Sequence, residues 1–123
     1  MSRRIRSLFL TITVFILSAT CSVEAFAHAI LENSQPGNGT TIAAGDVNFQ
    51  LTYNSRIDPT RSVLTLTLPD QSKSKLPITA GSAPNIVAST QRLAAGSYVL
   101  HWQVLSVDGH ITRGQISFIV QGQ

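Results

Sequence analysis

Three histidines and one aspartate are the residues of this chain best suited to metal chemistry. His28, His101 and His110 are its only histidines, and Asp108 stands two residues before the last of them, in Asp108-Gly109-His110. Residues two apart in an extended segment project to the same side, so Asp108 and His110 can face one ion. Gly109 permits a close approach of the backbone. Taken alone, however, an Asp-Gly pair is also typical of an ordinary turn without a metal.

His28 acquires a second nitrogen donor if the mature chain begins with it. It follows Ala25-Phe26-Ala27, a small-x-small triplet of the kind that signal peptidase cuts behind. Three arginines open the chain, and the apolar stretch at residues 8–19 is shorter than the roughly 20 residues of a lasting membrane helix. We therefore predict a secretory signal at residues 1–27 and a secreted or periplasmic domain at residues 28–123.

Lipidation of Cys21 is the alternative processing route. It would make His28 an internal residue without a free amine. The local sequence LSATC fits this route poorly, because the residue before such a cysteine is normally very small and Thr20 is β-branched.

A terminal histidine can chelate one ion through its α-amine and its ring. The amine has a reference pKa of about 7.7 to 8.0, so a divalent metal can displace its proton near neutral pH. Adding the His110 ring and the Asp108 carboxylate gives three nitrogens and one oxygen, a set that suits Cu(II). Zn(II) and Ni(II) are weaker competitors for these ligands. The sulfur ligands that Cu(I) prefers are absent after residue 27, because the only cysteine and methionine are Cys21 and Met1.

Composition excludes several other functions for the segment 28–123. Three of the nine Lys and Arg residues and one of the six acids precede it, which leaves six cations and five anions. This near-neutral balance does not favour nucleic-acid binding. The acids are scattered, and there is no GxSxG motif or glycine-rich loop before a helix, so no enzyme class is indicated.

Alternating apolar and polar residues must supply the elements that position these ligands. Every second residue is apolar in several short segments, turn residues separate the segments, and no window has a helical apolar stripe. His101 and Trp102 are neighbours on one such segment, so a core-facing Trp102 would leave His101 on the surface. We predict an all-β, seven-stranded, immunoglobulin-like Greek-key β-sandwich of antiparallel sheets. The clearest strand segments are 46–53, 62–69, 96–108 and 115–121, with weaker ones at 74–79, where Pro77 favours a sheet edge, and at 85–93.

Two segments of the chain resemble CopC-type copper-resistance proteins, which are small periplasmic copper carriers. YVLHWQVLSVDGHITRGQISFIV resembles the closing pattern of the family, Y-x-x-x-W-x-x-x-S-x-D-G-H-x-x-x-G-x-x-x-F-x-V. HAILENSQPGNGTTI resembles the start of its mature members, and the resemblance extends over essentially all of residues 28–120.

This resemblance implies a Cu(II) site at one end of the sandwich, bound by the amine and ring of His28, the ring of His110 and, more weakly, Asp108. It also implies a role in copper tolerance or supply beside a CopD-type inner-membrane copper transporter, and we expect a monomer. The chain departs from the family in two places. Residues 69–90 hold no methionine-rich loop for Cu(I), and Tyr53-Asn54-Ser55 stands where many members have an acidic residue.

Three functions remain open at this point. The leading prediction is a Cu(II) carrier or buffer without catalytic turnover. A copper oxygenase of the N-terminal-histidine type is disfavoured, because 96 residues leave little room for a substrate platform and Asp108 would occupy a position that oxygen needs. The third is an immunoglobulin-like interaction module with incidental histidines.

Overall fold

The alternating segments form the strands of a two-sheet sandwich. The computed structural model describes residues 29–122; the predicted signal at residues 1–27 and the predicted ligand His28 lie outside the described residues. Within that range the chain forms nine strands: β1 (Leu31–Gln35), β2 (Thr40–Ala43), β3 (Gly45–Tyr53), β4 (Ile57–Thr67), β5 (Lys73–Leu76), β6 (Thr79–Ala80), β7 (Ile86–Leu93), β8 (Gly96–Ser106) and β9 (Ile111–Gln121).

The nine strands are divided between a four-stranded and a five-stranded sheet. Their orders are β1-β3-β7-β6 and β2-β9-β8-β4-β5. The predicted all-β Greek-key sandwich is confirmed, although the described chain has nine strands rather than seven. The expectation of purely antiparallel sheets is wrong for one pair, because β2 runs parallel to β9. No helix within residues 29–122 is long and apolar enough to cross a membrane.

Two local features explain the additional strands. The segment 74–79 divides at Pro77, where β5 pairs with β4 in one sheet and β6 pairs with β7 in the other. Proline has no N–H for a sheet ladder, so the chain leaves the first sheet there. The second feature is β2, whose single large apolar residue, Ile42, gave too weak a signal for a strand.

The core lies between the sheets and is formed by the alternating apolar residues of both. Phe49 of β3 meets Phe118 of β9 edge to face, with ring centroids 5.8 Å apart. Burial of this apolar surface is the main stabilising term for a domain without disulfides. The buried apolar side chains are Ala29, Val47, Phe49, Leu51, Tyr53, Ile57, Leu64, Leu66, Leu76, Val87, Leu93, Tyr98, Leu100, Val104, Ile116, Phe118 and Val120.

Trp102 packs between the sheets against a glycine of the neighbouring strand. Trp102 on β8 is paired with Gly114 on β9, and a β-carbon built on Gly114 would lie only 2.3 Å from Trp102 Cζ2. The indole also meets the Tyr53 ring edge to face, with centroids 5.4 Å apart. Burial raises the pKa of the Tyr53 hydroxyl well above its usual range. Trp102 is therefore a core residue, as predicted from its place in the alternating pattern.

Candidate metal centre

The Asp108-Gly109-His110 segment is a tight turn between β8 and β9. Ser106 N–H donates to His110 O at 2.9 Å, and Gly109 N–H donates to Ser106 O at 2.9 Å. Gly109 has a φ of +94°, a conformation that a residue with a β-carbon adopts only with strain. The glycine thus fixes the backbone path between the aspartate and the histidine.

The turn brings Asp108 and His110 together, as their spacing predicts. Nδ1 of His110 lies 3.4 Å from Oδ1 of Asp108. The His110 and Asp108 side chains are 48% and 43% exposed, respectively. An imidazole and a carboxylate therefore lie side by side, and both are partly exposed to solvent.

Ser106 fixes the position of the Asp108 carboxylate. Its side chain is buried, and its hydroxyl donates a hydrogen bond to Asp108 Oδ1. This bond, assisted by His110, lowers the pKa of Asp108 below its ordinary value, although partial desolvation opposes the shift. The Ser106 Oγ also accepts from the His110 N–H at 3.3 Å. In the sequence, the only signal for this role is a hydroxyl two residues before the aspartate.

The start of the described chain is anchored beside the turn. Ala29 is buried, and its carbonyl accepts a hydrogen bond from Thr112 Oγ1 at 2.9 Å. The next residue is held by Asn54, whose Oδ1 accepts from Ile30 N–H at 2.7 Å and whose N–H donates to Ile30 O at 3.0 Å. Neither anchor was identified from the sequence, because both connect distant parts of the chain.

His101 occupies a separate place on β8. It is half-buried and is paired with Thr65 of β4 and Gln115 of β9, on the outer side of the five-stranded sheet. It borders a cavity of about 270 Å³ beside Arg113, whose Nε–H donates to Gln103 Oε1 at 2.8 Å. Trp102 packs into the core, so the expectation that the two neighbours face opposite sides agrees with this placement.

The described part of the chain supplies two of the three predicted ligands. Among residues 29–122, no group of three or more His, Cys, Asp and Glu side chains lies close enough together to hold a metal ion. The pair Asp108 and His110 offers one oxygen and one nitrogen, donors that Cu(II) and Zn(II) accept.

Several proteins of known sequence are similar to this chain. Copper resistance protein C of Xanthomonas campestris pv. juglandis is 32% identical over 120 residues, which cover 90% of this chain and 94% of that protein. Protein YobA of Escherichia coli strain K12 is 29% identical over 100 residues, covering 78% of this chain and 81% of YobA.

Two solved structures share the fold over most of the described chain. CopC from Methylosinus trichosporium OB3b has a TM-score of 0.71 and 25% identity, covering 78% of this chain and 96% of that one. PcoC, a methionine-rich copper resistance protein from Escherichia coli, has a TM-score of 0.65 and 26% identity, covering 77% of this chain and 100% of PcoC. The family model of the CopC domain matches residues 31–121. The resemblance seen in the sequence is thus confirmed, and the chain belongs to the CopC domain family.

Proposed function

We propose that this protein is a Cu(II)-binding carrier or buffer that serves copper tolerance or supply. The observation that carries the proposal is the hydrogen bond from Thr112 to Ala29, because it ties the first described residue to a residue two positions after His110 in the chain. His28 directly precedes Ala29 in the sequence.

The proposed ligands are the α-amine and ring of His28, the ring of His110 and the carboxylate of Asp108. Copper as the cargo is supported by two similar proteins whose names describe copper resistance. The oxidation state is inferred from the donors, since nitrogen and oxygen ligands suit Cu(II). Residues 28–123 contain no cysteine or methionine, in contrast to the methionine-rich PcoC.

Family membership agrees with a binding protein rather than an enzyme. The exposure of Asp108 and His110 suits a carrier, because an acceptor can approach the ion without unfolding the sandwich. We place the protein in the periplasm as a monomer, after removal of residues 1–27, with a CopD-type inner-membrane transporter as the receiver of its copper.

The first experiment tests the chain end. The exported protein should have the mass of residues 28–123. Adding one glycine ahead of His28 converts the amine into an amide, so Cu(II) affinity measured by ligand competition should fall by several orders of magnitude. A glycine added after Gln123 is the matched control and should leave the affinity unchanged. Equal affinities of the two extended proteins would overturn the ligand set.

Two further measurements separate the remaining functions. Sustained peroxide production by the copper-loaded protein with ascorbate would replace the carrier with an oxygenase. Delivery is tested with vesicles containing the CopD-type transporter: uptake should be faster from the loaded protein than from a small chelator buffering the same free copper. Equal rates would contradict delivery and leave copper binding intact.

A further inference from the structure

We infer that Thr112 and Asn54 are positioning residues. They hold Ala29 and Ile30, the start of the described chain, beside the Asp108-Gly109-His110 turn before copper binds. The inference rests on the proposed function, because it concerns how His28 is presented to that site. Neither residue is a proposed ligand. Each acts through a backbone group of the N-terminal segment.

Thr112 continues the row of side chains that faces the core along β9. The buried members of that row are Ile116, Phe118 and Val120, and Thr112 lies at its end nearest the turn. Strand geometry places it about 7 Å along the chain from His110. Its hydroxyl donates to the carbonyl of the buried Ala29, so the bond joins the start of the described chain to the strand that directly follows His110.

Asn54 fixes the position of Ile30, which packing leaves largely unconstrained. Ile30 has 55% of its surface exposed, so burial contributes little to its position. Its N–H and its carbonyl are both bonded to Asn54, one through the side chain and one through the backbone. Together these two bonds close a ring that fixes the direction of the chain ahead of Leu31.

The loop that contains Asn54 also contacts the metal-binding turn. Val107 N–H donates to Arg56 O at 3.2 Å, and Ile57 N–H donates to Pro84 O at 3.0 Å. Residues 54–57 therefore bond on one side to the chain start and on the other to the segment preceding Asp108. This loop couples the two halves of the proposed site.

Pre-alignment raises affinity because the ligand-bearing segment does not have to be ordered when the metal binds. A neutral hydrogen bond contributes a net stabilisation that corresponds to roughly a 2- to 10-fold change in an equilibrium constant. We therefore expect Thr112→Val and Asn54→Ala each to weaken Cu(II) binding by about 2- to 10-fold.

The experiment is a double-mutant cycle between each positioning residue and the chain terminus. Cu(II) affinity and the Cu(II) electron paramagnetic resonance spectrum are measured for residues 28–123 with a free terminus. The same measurements are made in a background with His28→Ala and an acetylated amine, which provides no terminal donor. Both substitutions should weaken binding with the free terminus and have no effect in the acetylated background.

Matched variants separate positioning from general damage to the fold. Thr112→Ser keeps the donor hydroxyl and should restore wild-type affinity. Thr40→Val removes a similar hydroxyl-to-carbonyl bond, to Gly37 O at 2.6 Å, from a strand position paired with Phe118, and should leave affinity unchanged.

The outcomes distinguish failure of the positioning role from failure of the proposed Cu(II)-binding function. Unchanged affinity for both Thr112→Val and Asn54→Ala, or equal losses in the two backgrounds, overturns the positioning role. Should the acetylated His28→Ala protein bind Cu(II) as tightly as wild type, the proposed ligand set is wrong and the positioning role falls with it. Asn54→Ala lies on an exposed loop and provides the same test if Thr112→Val does not fold.

Discussion

Replacing Gly114 with alanine tests how closely the two sheets are packed near the Asp108-Gly109-His110 turn. The new β-carbon would lie 2.3 Å from Trp102 Cζ2, 2.6 Å from Cε2 and 3.0 Å from Nε1. Carbon atoms in contact are normally about 3.5 to 4.0 Å apart, so the indole or the β9 backbone must move by more than 1 Å. The indole cannot move without disturbing its edge-to-face contact with Tyr53.

The expected loss of stability is about 2 kcal/mol. Overpacking a core by one methyl group costs about 1 to 3 kcal/mol. Weakening the aromatic pair adds about 0.5 to 1.5 kcal/mol. The reduced entropy of the unfolded alanine chain offsets about 0.4 to 1 kcal/mol of this sum. For a domain of this size, the net loss corresponds to a fall in Tm of about 10 °C.

Thermal unfolding followed by circular dichroism and by tryptophan emission measures this effect. Trp102 is the only tryptophan of the chain, so its emission reports on this contact alone. Emission of Gly114→Ala should shift to longer wavelength as the indole moves towards water. Gly122→Ala is the matched control, because its nearest contact, Ala95 Cβ at 3.6 Å, is ordinary. A Tm of Gly114→Ala equal to that of Gly122→Ala, with unchanged emission, would refute the packing argument.

Three further predictions concern the turn, the second histidine and acid stability. His110→Ala should weaken Cu(II) binding at least about tenfold in a competition titration, whereas His101→Ala should match wild type; the reverse result would relocate the site. Gly109→Ala imposes a φ of +94° on a residue with a β-carbon but meets no atom within 4 Å, so chemical denaturation should show a loss of about 1 to 2 kcal/mol from strain alone. The hydroxyl and N–H of Ser72 lower the pKa of Asp70, so this pair stabilises the fold above the usual carboxyl pKa of about 3.9, and the contribution disappears as the pH falls through the lower folded value. The Tm of the copper-free Asp70→Asn protein should therefore fall less than that of wild type between about pH 5 and pH 2, and parallel curves would contradict this pairing.

The sequence predicts the fold class because the core signal is local. Val47, Phe49, Leu51 and Tyr53 alternate with polar residues, and all four are buried on β3. The same pattern could not reveal that β2 runs parallel to β9, since pairing direction depends on where the connections lead. Nor does the spacing of apolar residues show that the chain passes from one sheet to the other within a short segment, as it does at Pro77.

The candidate site likewise has features that the local sequence predicts and features that only the fold reveals. Asp108 and His110 are two residues apart, so their proximity follows from a single turn. Ser106 is local as well, but only the fold shows that its hydroxyl is buried beneath the carboxylate. The bond between Thr112 and Ala29 spans 83 residues, and no pattern within either segment indicates it.

With the proposed ligands, this 83-residue separation would make tight copper binding dependent on folding. An unfolded chain has its two proposed ligand-bearing segments on average far apart, so it presents the terminal histidine and the Asp108–His110 pair separately and not as one four-donor set. Tight binding would therefore require the closed sandwich, and each loaded molecule would resist unfolding more than an empty one. Copper at 100 times its dissociation constant would add about 2.7 kcal/mol of stability, so a resident of a copper-rich compartment would withstand heat and proteases best when it is carrying its ion.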